Sequence, residues 1–258
     1  MSPAREPLPT RVEDTPVLPP GYDDALDDGL AALGVSLDAA GRAVIAGHVR
    51  LLLAWSGSIN LTAIRDPRDV AVAHVLDSLS ALEAARQLGA TRLLDLGSGG
   101  GFPGIPLAVA LGGGEGTLLV EATRKKARFL ETVVAATGLA GLVMVAADRA
   151  EDVARDQRHR GVWGLVTARA VAGLAELVEL AFPLLVEGGS LFAWKRGDID
   201  RESAAAERAI HALGGGGMRV IDVAIDGLEG HRIVIATRTG SVPDLYPRDP
   251  AARRRRPW

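Results

Sequence analysis

No cysteine occurs among the 258 residues, which excludes a disulfide framework, a thiolate nucleophile and any cysteine-based zinc or iron–sulfur site. No window approaches the ~18 uninterrupted apolar residues of a membrane-spanning helix. The first twenty residues hold six Pro, three acids and two Arg in place of the apolar stretch that a secretory signal needs. A soluble cytoplasmic protein is therefore expected. Net charge is also nearly absent, at −3, but it is unevenly spread: residues 1–30 carry seven acids against two Arg, and residues 239–258 carry five Arg against two Asp. A nearly neutral body with a basic tail is not a bulk nucleic-acid coat, although it permits a local RNA contact. There is no internal repeat, and only Gly214–Gly217 and the run Arg253–Arg256 are of low complexity.

What is present is 48% apolar residues with 31 Gly and 14 Pro, enough for one α/β domain with additions rather than two independent domains. Residues 1–23, Pro-rich and acidic, are expected to be a disordered tail, because they offer little apolar surface to offset the entropy of ordering. Over residues 24–88 the apolar positions recur at helical spacing (Val44, Ile45, Val49, Leu51 to Leu53; Val70, Val75, Leu76, Leu79, Leu82), which predicts a helical extension interrupted at Gly57 and Pro67. From residue 89 to 240, short apolar runs alternate with amphipathic stretches. Strands are predicted at 92–96, 117–120, 142–146, 162–167, 190–194, 220–225 and 232–236, and helices at 104–111, 124–136, 150–155, 174–185 and 202–213. That alternation predicts a mostly parallel seven-stranded sheet with helices on both faces. The last two strands, joined by a turn too short for a crossover helix, should pair antiparallel. Residues 241–258 form a basic C-terminal tail.

The chemistry concentrates in Leu93-Leu94-Asp95-Leu96-Gly97-Ser98-Gly99-Gly100-Gly101-Phe102-Pro103-Gly104, a strand, a glycine-rich turn and a helix start. Gly99, Gly101 and Gly104 fit the dinucleotide spacing G-x-G-x-x-G, which on its own is a weak signal. Reading the segment instead as Asp95-x-Gly97-x-Gly99-x-Gly101 accounts for an acid directly before the glycines. A carboxylate there repels a pyrophosphate but tolerates S-adenosyl-L-methionine, which has no phosphate and carries a cationic sulfonium. Glu121, closing the second strand, is placed to take ribose hydroxyls from either cofactor. Ala150 and Glu151 follow the third strand, where an adenine should lie; Glu151 reads equally as a helix-start acid.

Asn60 to Pro67, His74-Val75-Leu76-Asp77-Ser78, the loop Gly97–Pro106, Arg124-Lys125-Lys126, Arg169 to Ala172 and Tyr246-Pro247-Arg248, in that order, resemble the RsmG (GidB) family of bacterial ribosomal RNA guanine-N7 methyltransferases. The resemblance covers roughly residues 51–250. It implies a Rossmann-like class I S-adenosylmethionine-dependent fold and methyl transfer to N7 of a guanine, guanine 527, of 16S rRNA in the small ribosomal subunit. It also implies cofactor contacts at Gly97 and Phe102, at Ala150 and Glu151, and at Arg169. With the loop residues read above, the candidate cofactor set is Asp95, Gly97, Ser98, Gly99, Gly101, Phe102, Glu121, Ala150, Glu151 and Arg169. The acidic N-terminal stretch lies outside the family pattern, and Pro250-Ala251-Ala252-Arg253 replaces an expected Pro-Gly.

Guanine N7 has an in-plane lone pair and no proton to lose, so no catalytic base is expected. Rate should come from holding N7 and the methyl in line at ~3–3.5 Å, an effect worth on the order of 7–11 kcal/mol. Candidate RNA contacts are His74, Arg124, Lys125, Lys195 and Arg248, by analogy with sites that hold splayed bases and phosphates. All but Arg248 have a plainer alternative: Lys195 as a solvated strand-end charge, Arg124 and Lys125 as an ordinary helix start, His74 with Asp77 as a buried polar pair. No third ligand in register with His74 and Asp77 makes a metal site. The partner expected is 16S rRNA or the small subunit, the chain acting as a monomer away from membranes. An NAD-linked oxidoreductase leaves Asp95 and the antiparallel strand pair unexplained; an inactive RNA-binding module stays open.

Overall fold

The computed structural model describes residues 7–258. Seven strands form one sheet: β1 (Arg92–Leu96), β2 (Gly116–Val120), β3 (Val143–Ala146), β4 (Trp163–Arg169), β5 (Leu185–Arg196), β6 (Gly215–Asp222) and β7 (His231–Arg238). Their order is β3-β2-β1-β4-β5-β7-β6. The first five pair in parallel, and β7 runs antiparallel between β5 and β6, as the short connection requires. Strand order reverses between β1 and β4. In open α/β sheets, that switch point is where a crevice opens beyond the carboxyl ends of the strands.

Residues alternate between two cores. Leu93 of β1, with Phe192 and Trp194 of β5, faces a large cluster filled by the N-terminal helices α1 (Pro20–Leu33) and α2 (Ala39–Ser56), together with α6 (Gly104–Ala110) and α7 (Arg124–Ala136). Leu94 and Leu96 of β1 face the opposite cluster under α8 (Ala150–Arg155), α9 (Leu174–Ala181) and α10 (Asp200–Ala212). The breaks expected at Gly57 and Pro67 are where α2 ends and α3 (Pro67–Val70) begins, with Asp66 accepting from Arg68 N–H as the cap. A π-helical turn, Ala71–Leu76, leads into α4 (Asp77–Leu79). The chain then continues through α5 (Leu82–Leu88). Among the described residues no helix is long and apolar enough to cross a membrane.

Three expectations need correction. Of the stretch expected to be disordered, residues 1–6 lie outside the described residues, but residues 7–23 are packed. Trp55 Nε1 donates to Pro9 O at 2.7 Å, and Arg50 donates to the carbonyls of Thr15 and Pro16. Leu8, Val12 and Leu18 press on the first core, and α1 already begins at Pro20. Composition averaged over the stretch hides those spaced apolar anchors, and proline-rich backbone leaves carbonyls free to accept from side chains. The helix predicted to run to Leu185 stops at Ala181, because Pro183 ends it. The strand expected at 220–225 is shifted toward the N-terminus and takes in the glycine run: β6 spans Gly215–Asp222, and a Cβ on Gly215 would meet Ile210 Cγ2 at 2.4 Å and Phe182 Cε2 at 2.7 Å. The basic C-terminal tail includes α11 (Pro250–Arg255), with Arg253 buried on Glu151 and Glu176.

Candidate functional site

Beyond the carboxyl ends of β1, β2, β4 and β5 lies a cleft of about 660 Å³, within the range that small-molecule sites occupy. One half is built by the glycine loop after β1 and by the end of β2. Gly97, Ser98, Gly99, Gly100, Phe102, Glu121 and Lys126 line it. At Gly99 the backbone is left-handed (φ 55°), and a Cβ there would find only Gly97 O, at 3.8 Å, so it would point into the open cleft. Glu121, 7% exposed, accepts from Gly99 N–H at 3.0 Å and from Thr123 N–H at 2.7 Å. A fixed carboxylate thus faces the space over the loop, with lone pairs left for further donors.

Below the loop the N-terminal layer forms the floor. Phe102 is stacked on His48 (4.4 Å between centroids) and on His74 (5.0 Å). His48, buried in α2, is pushed down to about 4 by burial, so it stays neutral. Its Nε2–H donates to Gly100 O at 2.6 Å, which leaves Nδ1 buried without a partner among the described residues. Nothing in the sequence marks His48, a lone histidine on an apolar helix face.

The second half of the cleft is built from β4, β5, the β6–β7 turn and the segment around the π turn. Arg169 at the end of β4 donates from Nη1 to Asp77 Oδ2 (3.0 Å) and Ala73 O (3.2 Å), and its Nη2 lies 3.3 Å from His74 Nδ1. Its guanidinium sits 5.5 Å from the Phe102 ring centre. His74, pushed down to about 4 by burial and then by Arg169, is neutral. Its Nδ1 lies 3.0 Å from Ala73 O, which can only accept, so the ring proton sits on Nδ1 and Nε2 accepts from the Thr62 hydroxyl at 2.8 Å. His74 and Asp77 both lie against Arg169, and the π turn is what brings both side chains to one edge, a use such turns often have. His231, opening β7, donates from Nδ1 to Asp77 Oδ1 at 3.0 Å. Arg196, exposed, stands opposite His231 in the β5–β7 register. Ala170 holds a left-handed φ of 56°, a strain of about 1–2 kcal/mol, and the turn it makes throws the exposed Val171 across the loop at Gly97.

The cleft thus gathers Gly97, Ser98, Gly99, Phe102, Glu121, Arg169 and His74 from the residues singled out in the sequence. Others are placed elsewhere. Asp95 is fully buried beneath the loop, not on the cleft: Thr167 donates to its Oδ1 at 2.7 Å, Oδ2 has no partner among the described residues, and burial pushes the carboxyl up to about 6. It shapes the turn instead of meeting a ligand. Gly104 is in contact with it; a Cβ on Gly104 would lie 2.8 Å from Asp95 Oδ2 and 2.5 Å from Leu119 Cδ2. Gly101 faces His48 and Ile105. Glu151 spends its carboxylate on Arg253 at 2.8 Å, and Ala150 packs on the second core.

Four basic residues are likewise committed or displaced. Lys195 bonds Glu202 (2.8 Å) and Ala172 O (3.1 Å), so it serves the β5–α10 junction, and its neighbour Arg196 takes the cleft. Arg248 forks onto Glu179, whose carboxylate also accepts from Trp258 Nε1 at 2.7 Å. Burial pushes Glu179 up, but these donors outweigh it and hold the carboxylate below its ordinary range. Arg124 and Lys125 are exposed on α7, and Lys126 is the member of that run that reaches the cleft. Periodicity locates strand ends; it does not say which of two adjacent side chains turns inward.

The family profile described as rRNA small subunit methyltransferase G matches residues 43–224. A ribosomal RNA small subunit methyltransferase G from Dehalococcoides mccartyi is 42% identical over 226 residues, covering 85% of this chain and 93% of its own. One from Symbiobacterium thermophilum is 39% identical, covering 88% and 94%. Among solved structures, cofactor-bound Rv0187 from MTB superposes with a TM-score of 0.55 at 21% identity, covering 75% of this chain and 90% of that one. The O-methyltransferase TomG from Streptomyces achromogenes, in complex with SAM, gives 0.53 at 21%, covering 82% and 94%. Those two likenesses establish the methyltransferase fold. The family follows from the sequence relatives and from a profile that extends from α2, past the π turn and the glycine loop, into the turn after β6: the chain belongs to the rRNA small subunit methyltransferase G family.

Proposed function

We propose that this protein transfers a methyl group from S-adenosyl-L-methionine to N7 of a guanine of 16S rRNA in the small ribosomal subunit. The observation that carries the nucleoside site is Glu121. Its carboxylate is anchored on Gly99 N–H and Thr123 N–H and faces the space over the glycine loop, where ribose hydroxyls are donors that suit it. That carboxylate serves the ribose of either cofactor, and the choice of S-adenosylmethionine over NAD follows from membership of the rRNA small subunit methyltransferase G family. Gly97 to Gly100 would carry it by backbone and Glu121 would hold its ribose; when bound, S-adenosylmethionine supplies an electrophilic methyl on sulfur.

The remaining work falls to the other half of the cleft. N7 needs no base, so its residues have to capture an extruded guanine, aim N7 at the methyl and exclude water. Arg169 and Arg196 offer planar cations for stacking and phosphate contact, and Val171 offers an apolar edge. The restriction to guanine N7 comes from the family resemblance. The test is incubation with methyl-labelled S-adenosylmethionine and small subunits from cells lacking the modification, followed by digestion to nucleosides. Label in 7-methylguanosine is expected. Absence of label from protein that still binds the donor would refute the reaction and leave an inactive RNA-binding module.

A further inference from the structure

We propose that His231 reads the target guanine, its Nε2 accepting a hydrogen bond from the Watson–Crick edge, with Asp77 as the positioning residue that fixes the tautomer. The inference rests on the guanine-N7 reading above. Nδ1 of His231 lies 3.0 Å from Asp77 Oδ1, and a carboxylate can only accept, so Nδ1 carries a ring proton, the only one in the neutral imidazole of this proposal. Nε2 is then a lone pair. It makes no hydrogen bond among the described residues, and the side chain, 19% exposed, lines the half of the cleft opposite the donor's loop.

Orientation supplies the second argument. With N7 turned to the methyl, the edge bearing the guanine's N1–H and N2 amino group faces away from the donor, and those groups are donors that require an acceptor. The cations on this side, Arg169 and Arg196, cannot provide one. Asp77 is only 2% exposed at its side chain and already shared between Arg169 and His231. His231 Nε2 is the side-chain acceptor that this half of the cleft presents toward a base. As N7 is alkylated the purine becomes cationic and N1–H more acidic, so this bond strengthens toward the transition state and should appear in kcat as well as in KM. An adenine edge, whose N1 is an acceptor where guanine carries N1–H, would face a lone pair with a lone pair.

The experiment uses the intact protein on small subunits, comparing wild type, His231→Gln, His231→Ala and Asp77→Asn, with melting temperature and S-adenosylmethionine affinity measured on each. His231→Ala is expected to lose at least about tenfold in kcat/KM, the cost of an unpaired donor, with donor affinity within about threefold of wild type. His231→Gln, whose amide oxygen can replace Nε2, should recover most of it. In Asp77→Asn the amide oxygen is drawn to Arg169 and the amide NH₂ turns to His231, forcing the proton onto Nε2; a larger loss than in His231→Ala is expected. Nitrogen-15 shifts should report a protonated Nδ1 for His231 in wild type and a protonated Nε2 in Asp77→Asn. An alanine variant within threefold of wild type, or alanine and glutamine variants that fall equally together with donor affinity, would overturn the proposal. If wild type itself forms no 7-methylguanosine, the underlying reading fails first, and visibly so.

Discussion

Substituting single glycines by alanine around the loop should separate ligand space from packing space. At Gly99 the left-handed backbone (φ 55°) charges an alanine about 1–2 kcal/mol, but the new Cβ meets nothing closer than Gly97 O at 3.8 Å and projects into the cleft. Gly99→Ala should therefore melt about 2–8 °C lower than wild type, taking ~2–4 °C per kcal/mol for a chain of this size. S-adenosylmethionine at ~100 times its dissociation constant stabilises a binding-competent fold by about 2.7 kcal/mol, roughly 5–10 °C on the same scale. Wild type should show that shift, and Gly99→Ala should show none, because the methyl occupies the ligand's space. NAD at equal concentration should move neither. Gly104→Ala is the contrast: its Cβ would meet Leu119 Cδ2 at 2.5 Å and Asp95 Oδ2 at 2.8 Å, an overpacking that costs ~1–3 kcal/mol away from the cleft, so it should melt lower yet still respond to the donor. Scanning calorimetry with and without ligand reads all of these. An undiminished shift in Gly99→Ala would place the donor elsewhere and refute the assignment.

Acid should destabilise the fold with a definite sign. His48 and His74, held near 4 when folded, titrate near 6.5 when unfolded, so below about 6.5 the unfolded chain binds protons first and stability falls toward pH 4; Asp95, raised to about 6, binds its proton first in the folded state and opposes this between about 6 and 4. Two histidines outweigh one aspartate, and His48→Gln, which keeps a donor for Gly100 O, should flatten the acid limb of urea-derived stability by up to ~1.4 kcal/mol per pH unit; an unchanged limb would mean that His48 is not the buried neutral group. Arg196→Ala should lower the salt slope of small-subunit binding by about one phosphate contact, while Lys195→Met leaves it unchanged; the reverse result would return Lys195 to the RNA face. Arg248→Ala strands the buried Glu179 carboxylate and should cost about 3–5 kcal/mol in urea unfolding with the salt slope intact, a prediction that fails if stability holds and RNA affinity drops.

The sheet was legible because its signals are local. β1 to β4 are short apolar runs bounded by glycine or charge, and β1 and α7 occupy the residues that periodicity assigns, 92–96 and 124–136, whereas β5 begins at Leu185 and β6 at Gly215, on glycines and charges that no apolar run marks. The glycine loop and Glu121 were legible for the same reason, since both sit at strand ends that the pattern fixes. What escaped was relational. Asp95 reads as a loop acid, yet alternation along β1 turns it inward beneath Gly104, while Lys195 and Arg196 differ only in which face of β5 they take. The pairings of Arg248 with Glu179 and of Arg253 with Glu151 span 69 and 102 residues, and no spacing rule reaches that far. His231 and His48 carry no motif, and each gains meaning only from the partner that the fold sets against it.

Those partners also settle why an N-terminal helical layer accompanies this sheet. A glycine loop alone is floppy, because each glycine adds conformations that folding must remove. Here α2 fixes one carbonyl of the loop through His48, and the helix containing the π turn fixes the ring of Phe102 through His74. The same helix delivers Asp77, and with it the charge balance of the acceptor half. Methylation makes the purine cationic, and an uncompensated Arg169 nearby would oppose that charge, at several ångströms and an effective dielectric near 20, by a few kcal/mol. Asp77, buried and 3.0 Å from the guanidinium, cancels it while its other oxygen orients His231. The carboxylate most remote from solvent in the cleft thus does two electrostatic tasks that its position in sequence, three residues after His74, gives no reason to expect.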